Sequence, residues 1–369
     1  MLVLNGAPLR RTIPTVDSAN ALELQYLAGA DGRSAPVGDV TFTVPAGSSL
    51  AVLGPPQSGK TSLLRLIAGF GSTVGGRVLF NGHDLARVSP HKRPFSFLGS
   101  QDALFPHMNV AGNVAYGLKA QGLGRSESQR RVADALDLVG AAHLESAAPE
   151  ALTRAERQKV ALARSLAIEP LVLLLDEALT ALDPLEAARV MTILSRLQRK
   201  VALTLIFSTT DGMAAMAQAD AIAVLSAGRM IQWGEPGELY DRPDHAVTAR
   251  LTGPVNLLAG RASRHGIEIA GLGDITAHGN VAQGNMAALA LRPDRIDLHL
   301  KAPEGFAFEG EIERVAFSNL GLTAHIQLAG PGERIAARVD TRRLQSDDLP
   351  EGRRVWCTFA PDDARLVRV

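Results

Sequence analysis

An α/β domain with a mostly parallel sheet, followed by a small all-β domain, is the fold class that the sequence predicts. Three observations carry it. Strand-like apolar runs alternate with helical patterns from about residue 21 to 235, the order of a sheet crossed over by helices. The run LVLLL at 171–175 is apolar throughout, as a strand covered on both faces must be. Beyond about residue 236 the pattern turns to short β runs with many glycines.

The elements follow in order. Residues 1–20 lack periodicity and stay unassigned. Strands are expected at 21–27, 40–44 and 49–53, each bounded by Gly, Pro or Asp. A glycine-containing loop then leads into TSLLRLIAGF, whose apolar spacing is helical and whose end is set by Gly69. Further strands are expected at 77–80, 95–98, 171–175, 203–207 and 221–225. Helices lie between them, among them 126–139 and 184–197. Residues 235–254 read as a helical connection. The β runs GIEIAGLGDI, MAALALR, GEIERVAF, LTAHIQLAG, RIAARVD and RRVWCTF complete the second domain. The resulting division is 1–20, 21–235 and 236–369.

Lys+Arg and Asp+Glu both number 38, so the net charge is zero and no nucleic-acid partner is expected. The single cysteine, Cys357, rules out a disulfide framework and fits a cytosolic compartment. No apolar run reaches membrane-spanning length, so the chain is not itself a pore, although it can bind a membrane partner. In MLVLNGAPLRR the basic residues follow the apolar ones, the reverse of a secretory leader. The histidines lack metal-ligand spacing, and no zinc site is expected.

The chemistry begins at GPPQSGKT, residues 54–61, which fits G-x-x-x-x-G-K-[ST] between a strand and a helix. There the loop of Gly54, Pro55, Pro56, Gln57, Ser58 and Gly59, with Ser62 behind it, cradles phosphates through backbone N–H groups and the helix N-terminus. Lys60 reaches the β and γ phosphates, and the Thr61 hydroxyl ligates Mg²⁺. LVLLLDE, residues 171–177, delivers Asp176 to the carboxyl end of a buried strand, where it holds the metal through water. Glu177 polarises a water for attack on the γ-phosphate. Together the two motifs predict a P-loop NTPase that binds ATP with Mg²⁺.

Further stretches resemble the ATPase subunits of ABC transporters. Gln101, within GSQDALFPHMNVAGNVAYGLKA, resembles their Q-loop, and 103–110 resembles the stretch after it in importer subunits. ALTALDP, residues 178–184, resembles the D-loop, with Asp183 in the aspartate position. RQKVALARSLAIEPLVLLLDE resembles the helix between signature and Walker B, and GRMIQWGEPGELYDRP the end of the nucleotide-binding domain. The β appendage, with ALRPDRI at 290–296, is similar to the TOBE domain of maltose-, polyamine- and sulfate-type importer ATPases. The resemblance covers about residues 20–369. It implies an α/β P-loop NTPase (ABC ATPase) domain followed by an OB-like regulatory TOBE domain. It also implies two ATPase domains closing head to tail, each ATP lying between the Walker motifs of one and the signature helix of the other. Gln101 would sense Mg²⁺ and the attacking water, and 105–108 would lie near the groove for a permease coupling helix. The implied partners are a second ATPase subunit, two transmembrane permease subunits and, indirectly, a solute-binding protein. The implied location is peripheral, on the cytoplasmic face of the inner (cell) membrane.

The sequence also departs from that family. Its signature is usually Leu-Ser-Gly-Gly-Gln, but here the residues are Leu152, Thr153, Arg154, Ala155 and Glu156. Thr153 keeps a hydroxyl and Ala155 a backbone N–H for a γ-phosphate oxygen. Arg154 adds bulk where glycine allows close approach. Glu156 sets a carboxylate near the partner's nucleotide, with Arg154 as the candidate to offset it. Thr210 stands where the family places a histidine; it can donate one hydrogen bond but cannot be cationic. Losing one such transition-state contact costs about 10²–10³-fold in rate. The adenine-stacking position falls near Asp31, and Tyr26 is either a substitute or a core aromatic. His107 packs near the Q-loop, and Trp233 and Trp356 are core or interface anchors.

In a homodimer each composite site would combine both defects. The expectation is therefore a heterodimer with a non-identical ATPase subunit, hydrolysing ATP to drive solute uptake. A non-hydrolysing ATP-binding subunit is the alternative. GPPQSGKTSLLRLIAG and the Thr-Thr before Asp211 resemble one of the two unequal ATPases of glycerol importers. A polyol or sugar is the first expected cargo, with polyamine and organic anion as alternatives.

Overall fold

The computed structural model describes residues 22–369 except 33, 101–103, 319–320 and 331. The unassigned segment 1–20 and Gln101 lie outside the described residues. The chain divides between Trp233 and Gly234 into two compact units.

The first unit runs β1 (Leu22–Ala30), β2 (Val37–Val44), β3 (Ser49–Leu53), α1 (Lys60–Ala68), β4 (Ser72–Phe80), β5 (His83–Asp84) and β6 (Phe95–Leu98). It continues with α2 (Val110–Ala120), α3 (Arg125–Leu138), α4 (Arg154–Ala167), β7 (Val172–Asp176), α5 (Pro184–Val201), β8 (Thr204–Thr209), α6 (Gly212–Gln218), β9 (Ala221–Ser226) and β10 (Arg229–Gly234). The strand order is β5-β4-β1-β2-β10-β9-β3-β8-β7-β6. From β9 to β6 the pairing is parallel, as expected. The arm β2-β1-β4-β5 is antiparallel and β10 joins β2 in parallel, so the sheet is mostly, not wholly, parallel. The reason is loop length: residues 31–36 between β1 and β2 are too few for a crossover helix.

Strands β3 and β7 are buried along their whole length, which explains their unbroken apolar sequences. Helix α1 packs Leu63, Leu64, Leu66 and Ile67 against the sheet. It stops at Gly69, which donates its N–H to the Leu66 carbonyl and whose φ of 87° turns the chain so that the Phe70 N–H reaches the Arg65 carbonyl. Strand β8 lies between β3 and β7, so the loop after β3 and the acids at the end of β7 open at the same edge of the sheet. Open α/β sheets bind ligands at that carboxyl edge.

The second unit opens with α7 (Pro236–Asp241) and α8 (Ala246–Thr252), the expected helical connection. One sheet follows as β11 (Asn256–Ala262), β12 (Gly266–Ile269), β13 (Gly273–Thr276), β14 (Met286–Leu291) and, at the end of the chain, β20 (Arg365–Val367). The other comprises β15 (Asp297–His299), β16 (Phe308–Ser318), β17 (Gly321–Leu328), β18 (Arg334–Arg338) and β19 (Arg354–Thr358). Both sheets feed one core, with Leu289 and Leu291 from the first and Phe308, Ile326 and Val355 from the second. Arg292 ties the helices to this core. Buried and stacked 4.0 Å from the Tyr240 ring centroid, it donates to the Tyr240, Ala249, Gly253 and Pro254 carbonyls and to Thr252 Oγ1. Trp233 is exposed, which sets aside the core alternative of its reading as a core or interface anchor, and Trp356 is half-buried. No helix among the described residues is long and apolar enough to cross a membrane.

Candidate nucleotide site

The loop 54–59 joins β3 to α1. Gln57 and Gly59 take φ of 62° and 98°, which folds the backbone back over the helix start. A Cβ at Gly54 would stand 2.4 Å from the Leu225 carbonyl oxygen and 2.5 Å from Ser58 Oγ, so only glycine fits. Ser58 Oγ is buried and has no hydrogen-bond partner among the described residues. A phosphate oxygen seated in this loop would satisfy it.

Four predicted residues come together at this edge. Lys60 Nζ donates to the Gly54 and Pro55 carbonyls at 3.0 Å each and lies 3.4 Å from Glu177 Oε1. Thr61 Oγ1 donates to Asp176 Oδ1 at 3.1 Å. Burial pushes the Asp176 carboxyl above its ordinary range, opposed by hydrogen bonds from Ser208 and Thr61. Glu177 holds φ of 48°, a left-handed conformation that persists only where surrounding contacts impose it.

Sequence reasoning missed Ser208. Its hydroxyl donates to Asp176 Oδ1 at 2.7 Å and accepts the Glu177 N–H at 3.0 Å. The available signal was a hydroxyl residue interrupting an apolar strand near its carboxyl end. Thr210 lies exposed just beyond β8. The preceding Thr209 carbonyl accepts the Gly54 N–H at 3.4 Å, which sets this turn beside the start of the loop.

Thr153, Ala155 and Asp183 are carried by other elements. Asp183 caps α5 by accepting the Glu186 N–H at 2.8 Å, and the Glu186 carboxylate pairs with Lys159 of α4. Thr153 caps α4 in a reciprocal box with Glu156. Glu156 Oε2 accepts from Thr153 N at 2.8 Å and from Thr153 Oγ1 at 2.9 Å. Those two bonds, the backbone one first, hold the Glu156 carboxyl below its ordinary range. The charge of Glu156 is thus met first by Thr153, a correction to the expectation that Arg154 offsets it.

The two residues weighed for adenine stacking, Tyr26 and Asp31, are placed differently. Tyr26 is 71% exposed, at an irregularity in the β1–β2 and β1–β4 pairing, so it is not a core aromatic. Asp31 is turned inward. It accepts from Ser62 Oγ at 3.2 Å and forms an ion pair with Arg65 at 2.9 Å, where Nε lacks hydrogen-bond geometry. Ser62 therefore spends its hydroxyl on Asp31. In the helical part of the unit, Asn113 accepts the Phe105 N–H at 2.7 Å and donates to the Phe105 and Met108 carbonyls. Phe105 also packs on Tyr116 and His107 under the Arg164 guanidinium.

The donor set suits a hard cation only in part. Thr61 and Asp176 supply oxygen ligands, and no group of three or more His, Cys, Asp or Glu among the described residues could hold a metal. Mg²⁺ fits that arrangement, because it is commonly held by one or two protein oxygens plus substrate phosphates and water.

Comparison with known proteins agrees with this geometry. The ABC transporter family matches residues 37–180, and the TOBE domain family matches 289–367. The chain is 32% identical to the spermidine/putrescine import ATP-binding protein PotA of Mesorhizobium japonicum, over 96% of this chain and 100% of that protein. It is 34% identical to the putrescine transport ATP-binding protein PotG of Escherichia coli, over 89% and 90%. It is 32% identical to a putative 2-aminoethylphosphonate import ATP-binding protein, PhnT, of Salmonella paratyphi A, over 96% and 97%. Among solved structures, an ATP-binding cassette determined as a dimer with ADP and Pi superposes with a TM-score of 0.54 at 21% identity. That match covers 58% of this chain and 98% of the other and speaks for the fold.

Proposed function

Because this chain belongs to the ABC transporter family, as an importer-type ATPase with a C-terminal TOBE domain, we propose that it drives solute uptake as one half of an asymmetric ATPase dimer. The observation that carries the asymmetry is the cap of α4. The hydroxyl of Thr153, which a partner's γ-phosphate would need, already donates to the Glu156 carboxylate. A carboxylate there also opposes the positive end of the helix that would attract a phosphate. This chain's own loop and acids, in contrast, are assembled. A partner subunit with an intact signature would complete that site, and the partner's own loop would face the capped α4.

In this reading the loop 54–59 and Lys60 bind the phosphates. Thr61 and Asp176 would hold Mg²⁺, which would supply charge neutralisation at the phosphates. Glu177 takes the proton of the attacking water as the bond from the γ-phosphorus to the β,γ-bridging oxygen breaks. Thr210 donates one hydrogen bond where a histidine would give a stronger one. Gln101 keeps the role that the resemblance gives it. The permease subunits and solute-binding protein complete the transporter, with this chain at the cytoplasmic face of the membrane.

For cargo, the names of the compared relatives favour a polyamine over the polyol or sugar expected from the sequence. One relative carries a phosphonate name on the same ATPase plan, which supports cargo selection outside this subunit. Uptake of radiolabelled putrescine and glycerol by cells carrying the wild-type chain or Glu177→Gln tests the reading. Putrescine uptake that falls at least tenfold in the variant is expected. Undiminished uptake in the variant would favour the non-hydrolysing alternative.

A further inference from the structure

We propose that Ser208 is a positioning residue of the nucleotide site, its buried hydroxyl orienting the Asp176 carboxylate toward Thr61 while fixing the backbone of Glu177. The inference rests on the reading of Asp176 and Glu177 given above. Ser208 and Asp176 are direct partners in the parallel ladder of β8 and β7, so their side chains emerge on the same face. Ser208 is 4% exposed, and its oxygen is shared between two bonds of opposite sense. It donates to Asp176 Oδ1 at 2.7 Å and accepts the Glu177 N–H at 3.0 Å. A hydroxyl, with one donor and two acceptor sites, is the smallest side chain that can do both.

The consequence is geometric. Asp176 Oδ1 also accepts from Thr61 Oγ1 at 3.1 Å, so two hydroxyls from two elements fix the direction of one carboxylate. Glu177 follows immediately with a left-handed φ of 48°. The Ser208 bond to its N–H is a specific contact holding that conformation, and with it the ion pair to Lys60 at 3.4 Å. Removing the hydroxyl leaves both groups buried or half-buried with one partner fewer. The phosphate-binding loop itself is untouched, since no bond of Ser208 reaches residues 54–60 among the described residues.

The test compares full-length wild type, Ser208→Ala and Ser208→Thr. The readouts are affinity for a fluorescent ATP analogue with and without Mg²⁺, and the thermal midpoint without nucleotide. Hydrogen bonds to charged groups set the expected scale. Ser208→Ala should lose about tenfold or more of the Mg²⁺-dependent gain in affinity while its Mg²⁺-free affinity stays near wild type and its thermal midpoint, lowered by the unpaired groups, stays above the assay temperature. Ser208→Thr, which keeps the hydroxyl, should retain the gain. An undiminished gain in Ser208→Ala overturns the proposal. A parallel loss of Mg²⁺-free affinity also overturns it, by assigning Ser208 to the fold alone. A wild-type chain with no Mg²⁺-dependent gain would instead overturn the underlying reading of the site.

Discussion

At the scale of single residues, the departures from the family pattern are informative because each has a local structural consequence. Thr210 sits exposed, directly after Thr209, whose carbonyl accepts the Gly54 N–H, and under the proposed function its hydroxyl would face the developing charge. Thr210→His should raise single-turnover ATP hydrolysis at this chain's site by about 10²-fold, the worth of one well-placed transition-state donor. An unchanged rate in rapid-quench measurements on the purified complex would show that this turn takes no part in the chemistry. Glu156 behaves differently from the expectation formed on sequence. As a charge it threatened the neighbouring nucleotide; as the fourth residue of a T-x-x-E capping box it stabilises its own helix. The T-x-x-E spacing of Thr153 and Glu156 is the sequence mark of that box, and the same residues fall at the family's signature position. Asp31 shows the converse: its ion pair with Arg65 and its bond from Ser62 depend on how the chain crosses α1, which spacing alone does not specify.

At the scale of elements, apolar runs located the central strands well. β3 has the expected bounds, and β7 and β8 differ only at their ends, because strands buried on both faces must be continuously apolar; the edge strand β6 also has the expected bounds, with alternate residues buried. The edge and end strands β10, β15 and β20 escaped notice, being short or mixed in polarity. The loop before α2 depends on one side chain. Asn113 is fully buried and gives the Phe105 N–H and the Phe105 and Met108 carbonyls their partners. Asn113→Ala should cost about 1–3 kcal/mol, the scale of buried polar groups left unsatisfied. Hydrogen exchange should show the Phe105 amide losing protection first, while the β3 amides keep theirs. Equal loss at both places would mean that Asn113 supports the whole unit and not this loop.

At the scale of the whole molecule, an ATPase domain and a TOBE domain with zero net charge and no candidate membrane span among the described residues need partners to perform import. The candidate site was legible to the extent that it lies in contiguous motifs: the loop, Lys60, Thr61, Asp176 and Glu177 were all anticipated. Ser208 was not, because its role arises from cross-strand register rather than from a motif. Subunit composition is the property on which the account turns, since a capped α4 and an assembled loop on one chain make sense as halves of two different composite sites. The most direct test is to tag this chain, purify it with its native membrane complex and count the ATPase subunits by intact mass. One copy of this chain beside a different ATPase is the expected result. Two copies of this chain and no other ATPase would contradict it.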